Sequence, residues 1–75
     1  MPHVIIKMYP GRTAEQKTKL AAAIVESITS IAKCEEKSVS ISIEEIRPED
    51  WAEKVYKPYI IKEAKTLVKK PGYTV

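Results

Sequence analysis

At 75 residues the chain has room for one domain, residues 1–75, whose core is marginal on its own. Its single cysteine and single histidine exclude an internal disulfide and a zinc site built on His/Cys clusters. A net charge of +3 from 13 basic and 10 acidic residues, with lysines interleaved among glutamates, reads as a solvated surface and sets nucleic acid aside as a partner. No apolar run approaches the ~20 residues of a membrane span and no signal peptide is visible, so no membrane partner is expected and the expected location is cytoplasmic.

Residues 3–9 alternate: Val4, Ile6 and Met8 share one face of a predicted strand, and His3, Ile5, Lys7 and Tyr9 share the other, until Pro10-Gly11 ends it. Thr13-Ala14-Glu15-Gln16 has the form of a capping box, and Leu20, Ile24, Ile28 and Ile31 then recur at helical spacing, which predicts a helix over 14–33. Residues 39–44 alternate strictly and are rich in β-branched side chains, predicting a second strand with Val39, Ile41 and Ile43 on its buried face. Residues 46–51 read as a loop entering a turn or short helix, with Pro48 suited to a first helical position. Pro58 is expected to interrupt the segment after Trp51, and a second helix is expected over 59–69, with Ile60, Ala64, Leu67 and Val68 on its apolar side and Pro71-Gly72 as its stop. Tyr73-Thr74-Val75 is expected to add a short final strand.

Strand, helix, strand in this order makes a βαβ unit with parallel strands and a right-handed crossover. Two strands are too little sheet to stand alone, and their open edges invite pairing. The expected fold is therefore α/β: one β-α-β unit and a C-terminal helix, completed by symmetric homo-oligomerisation.

Three residues carry candidate chemistry. Pro2 stands behind Met1, and methionine is usually removed ahead of a residue as small as proline. The exposed secondary amine, held at the start of a strand and partly desolvated, is a general base of lowered pKa. Arg12, in the turn after the first strand, offers a fixed positive fork for a carboxylate or enolate oxygen, and Trp51 offers an apolar wall for a planar substrate. Arg12 also fits a solvated loop arginine, and Trp51 a helix-packing aromatic. In a parallel βαβ unit Pro2 and Arg12 lie at opposite ends of the strands, so a site using both has to lie between subunits.

Met1-Pro2 and the β-run, Gly11-Arg12-Thr13 with Glu15-Gln16-Lys17, and Ser38-Val39-Ser40-Ile41-Ser42-Ile43 resemble the tautomerase superfamily in its 4-oxalocrotonate tautomerase-like branch. Arg47-Pro48-Glu49-Asp50-Trp51 and Lys69-Lys70-Pro71-Gly72-Tyr73 resemble its small dimeric bacterial members. The resemblance implies a β-α-β fold that dimerises or assembles further to hexamers, with a dimer favoured. It also implies a cofactor-free reaction in which Pro2 moves a proton between an enol oxygen and carbon. Arg12 from a neighbouring subunit then binds the substrate's charged end, and the pocket aromatic falls on Trp51.

Where the best-known diacid-processing member carries a second arginine, this chain has Ser40, which the resemblance therefore implies is a substrate-binding position. That favours monocarboxylate enols, such as an aryl enolpyruvate, over diacids, with Lys7, Tyr9 and Arg47 as candidate substitute anchors. The expected function is enol-keto tautomerisation of small 2-oxo or 2-hydroxy-enoic acids by an isomerase. The alternatives are nucleophilic Pro2 chemistry (decarboxylase, hydratase or aldol type) and a small basic binding protein without catalysis.

Overall fold

The computed structural model describes all 75 residues. Strand β1 (His3–Met8) leads through Gly11, at φ 127°, into helix α1 (Ala14–Ile31), and strand β2 (Ser40–Glu45) comes next in the sheet. The capping box forms as expected: the Gln16 N–H donates to Thr13 Oγ1 at 3.1 Å, and the Thr13 N–H donates to Gln16 Oε1 at 2.8 Å. Two otherwise orphaned donors are thereby satisfied at the helix start. The helix closes two residues earlier than expected, at Ile31, where Lys33 turns left-handed with φ 57°.

β1 and β2 pair in parallel with His3 opposite Ser40 and Met8 opposite Glu45. Side-chain contacts sort the two faces. His3 and Ser40 are bonded, as are Lys7 and Glu44, so these residues share a face with Ile5 and Tyr9. Val4, Ile6, Ile41, Ile43 and Glu45 form the opposite face. Lys17 of α1 reaches Glu45 at 3.4 Å, which lays α1 over that apolar face. Val39, Ile41 and Ile43 stand on the expected face, but they are only half-buried.

The C-terminal third departs from the sequence reading. Helix α2 spans Ala52–Ile61 and runs straight through Pro58 instead of starting after it. Proline lacks an N–H, and its ring collides with the carbonyl four residues back in an α-helix. The helix avoids that collision by widening: its bonds run in the π pattern, and at its end the Lys62 N–H donates to the Lys57 carbonyl, five residues back, at 3.0 Å. No single helix covers 59–69, because α2 ends at Ile61. Glu63 leaves helical geometry, Ala64–Thr66 makes a single 3₁₀ turn, and Leu67 is extended. Val68, expected on an apolar helix face, is fully exposed. Residues 73–75 form no strand, since neither edge of the two-stranded sheet pairs with them.

Only Val55 (5% exposed) and Tyr56 (7%), both on α2, are buried within the single chain. Ile5, Ile31 and Ile61 lie open to solvent. Such a small core leaves much apolar surface uncovered.

Candidate active site

A cleft of about 510 Å³ opens at the carboxyl end of β1, lined by Lys7, Met8, Tyr9, Arg12, Trp51, Tyr73 and Val75. Each element contributes for a local reason. The strand's alternation brings Lys7 and Tyr9 to the same face. Gly11, whose positive φ few other residues adopt, turns the chain and places Arg12 at the cleft. Trp51 caps α2, after a 3₁₀ turn that Pro48 begins.

Aromatic rings build the wall. Tyr9 meets the Trp51 ring edge to face with centroids 5.1 Å apart. The Trp51 indole N–H donates to the Tyr73 hydroxyl at 3.0 Å, and the Tyr73 ring lies 5.8 Å from that of the buried Tyr56. Tyr73 thus links the cleft wall to the only buried spot of the chain.

The two cations of the cleft differ. Lys7 Nζ donates to Glu44 Oε1 at 2.6 Å and sits 4.7 Å above the Tyr59 ring. The hydrogen bond to Glu44 holds the Lys7 ammonium above its ordinary pKa, only partly offset by burial. Its charge is committed. Arg12 lines the cleft, is exposed and makes no ion pair or side-chain hydrogen bond, so its donors are unspent. Arg47, the third substitute anchor expected from sequence, lies outside the cleft and is bonded to Asp50 at 3.2 Å.

Arg12 and Trp51 therefore come together, whereas Pro2 and Ser40 do not join them. Ser40 donates its N–H to the Pro2 carbonyl at 3.2 Å, and its hydroxyl lies 2.6 Å from His3 Nδ1. Both residues sit at the opposite end of β1, whose six residues span about 20 Å. One chain cannot present Pro2 and Arg12 to one small substrate.

Sequence reasoning missed Tyr73 as a cleft residue and gave Tyr9 only as a substitute anchor. Nothing in helical or strand periodicity links Tyr73 to Trp51 across 22 positions; the one signal is an aromatic residue just behind the Pro71-Gly72 turn.

A family model described as tautomerase enzyme matches residues 2–55. The chain is similar to the tautomerase PptA of Enterobacter sp. (strain 638), 41% identical over 76 positions and all of both chains. It is also similar to the tautomerase PptA of Escherichia coli (strain SMS-3-5 / SECEC), 38% identical over 76 positions with both chains fully covered. Among solved structures it is similar to YwhB, a homologue of 4-oxalocrotonate tautomerase, with TM-score 0.60 and 37% identity over 61% of this chain and 75% of that one. A 4-oxalocrotonate tautomerase isozyme from Methylibium petroleiphilum superposes with TM-score 0.63 and 33% identity, covering 64% and 75%.

Proposed function

The chain belongs to the tautomerase family, and on that premise we propose that it is a cofactor-free enol-keto tautomerase of small monocarboxylic 2-oxo acids, with Pro2 as general base. The observation that carries the substrate class is Arg12, the one uncommitted cation in an aromatic-walled cleft.

With Met1 attached, the Pro2 nitrogen is an amide and has no basic lone pair. Met1 is fully exposed, which suits its removal, and removal frees a secondary amine beside the paired strand starts. The neutral amine takes the hydroxyl proton of a 2-hydroxy-2-enoate while the C–O bond becomes a carbonyl. The prolinium then returns a proton to C3, so that one O–H bond is exchanged for one C–H bond and the enzyme is restored. Arg12 pairs with the carboxylate, and the Trp51 wall excludes water and strengthens that pairing. Ser40, beside Pro2 and bonded to His3, adds no positive charge at that end, which disfavours a second carboxylate.

Since Pro2 and Arg12 stand at opposite strand ends, the proposed unit is a homodimer in which Pro2 of one copy meets the cleft of the other. The sparse core and exposed Ile5, Ile31 and Ile61 support that assembly, and a cytoplasmic location fits the reading. The test is the ultraviolet-monitored ketonisation of an aryl enolpyruvate by protein whose loss of Met1 is verified by mass. Turnover by that form, and its absence when Met1 is retained, is the expected result; equal turnover by both forms would remove Pro2 from the chemistry.

A further inference from the structure

We propose that Tyr73 is a specificity-determining residue of this cleft, its hydroxyl donating a hydrogen bond to a substrate oxygen and so serving as a neutral second anchor beside Arg12. The inference rests on the tautomerase reading above for the identity of the substrate. Tyr73 itself lies beyond the family model, which ends at residue 55.

An indole N–H can only donate, so in the 3.0 Å contact with Trp51 the Tyr73 oxygen is the acceptor. The phenol's own proton is left unspent, and Tyr73 makes no other hydrogen bond. The group is also fixed in place: one side of the ring rests against buried Tyr56, and the indole N–H holds the oxygen. Tyr73 nevertheless remains 44% exposed and lines the cleft that holds Arg12. A donor already oriented by its neighbours loses little freedom on binding, which favours affinity.

The other polar groups of the cleft fit the role less well. Lys7 is engaged by Glu44, and Tyr9 packs its ring on Trp51 without an oriented hydroxyl contact. An acid with one carboxylate and one 2-oxygen needs one cation and one neutral donor. Arg12 with Tyr73 supplies that set, whereas a diacid would bring a second charge to a group that cannot neutralise it.

The experiment uses the Met1-free protein and Tyr73→Phe, which keeps the ring and its contact with Tyr56. Two readouts are taken: KM and kcat for an aryl enolpyruvate, and quenching of Trp51, the sole tryptophan of the chain, by 3-phenyllactate, an unreactive monocarboxylate that carries a 2-oxygen. The expected result is a roughly 3- to 10-fold rise in KM and in the Kd of 3-phenyllactate, the range for losing one neutral hydrogen bond, with kcat within about twofold. Measuring Tyr73→Phe in a Trp51→Phe background separates donation to substrate from orientation of the indole. If the KM penalty persists without the indole, Tyr73 donates to the substrate. If it vanishes, or if Tyr73→Phe leaves both constants unchanged, the proposal is overturned. A wild-type protein that binds 3-phenyllactate but ketonises nothing would sink the proposed function alone, and the quenching titration would still decide the role of Tyr73.

Discussion

Replacing Arg12 by alanine removes a side chain that is exposed and has no partner in the folded chain. Surface changes of this kind shift stability by no more than about 0.5 kcal/mol, so unfolding midpoints should match wild type. The catalytic loss should be much larger. A hydrogen bond to a charged partner contributes roughly 1.5–3 kcal/mol, which corresponds to about a 10- to 150-fold fall in kcat/KM. Lys7 cannot take over, because Glu44 holds its ammonium at 2.6 Å. Arg12→Lys should recover only part of the loss, since a point charge does not reproduce the planar fork. The assay is steady-state ketonisation of an aryl enolpyruvate at several ionic strengths. A loss confined to KM marks Arg12 as a carboxylate anchor, and a loss in kcat marks it as stabilising the enolate. Salt should raise the wild-type KM and leave the mutant's nearly flat. A kcat/KM within twofold of wild type would refute the reasoning and place the carboxylate elsewhere.

Sedimentation should find an oligomer at micromolar concentration, with a melting temperature that rises with protein concentration, because Val55 and Tyr56 are the only buried residues of the single chain; a compact, active monomer would contradict this. The Lys7–Glu44 pair predicts a particular pH dependence. The Lys7 pKa is raised above 10.5 in the folded chain, so the pair stabilises fully below the unfolded value and loses its effect as pH rises through the folded one. Glu44→Gln should therefore lower the urea midpoint by the equivalent of about 0.2–1 kcal/mol at pH 8, as for other solvent-screened pairs. That difference from wild type should shrink above about pH 10.5, and a gap that stays constant with pH would contradict the assignment.

Where chemistry acts between near neighbours, the sequence was readable. The Thr13/Gln16 reciprocal bonds follow from residues three apart, and the two sheet faces follow from alternation in 3–9 and 39–44. The separation of Pro2 from Arg12 was equally legible, because a parallel βαβ unit admits no other arrangement. The helix through Pro58 was not. The rule that proline breaks a helix assumes α-helical bonding, and the wider bonding of α2 changes its premise. That error hid the Tyr56–Tyr73–Trp51 chain of contacts, since a helix over 59–69 carries the terminal segment away from its observed place against Tyr56. The half-burial of Ile41 and Ile43 has a different origin: alternation fixes which face a side chain takes, and the depth of cover depends on what packs there.

The central claim is that the N-terminal secondary amine is the base. Its most direct test is the ketonisation rate of Pro2→Ala against wild type, with Met1 shown by mass to be absent from both. Replacing the ring amine by an untuned primary amine should lower kcat by about two decades or more while the circular dichroism and oligomeric state stay unchanged. An unaltered kcat in the processed Pro2→Ala protein would contradict the account and transfer the proton chemistry to another group.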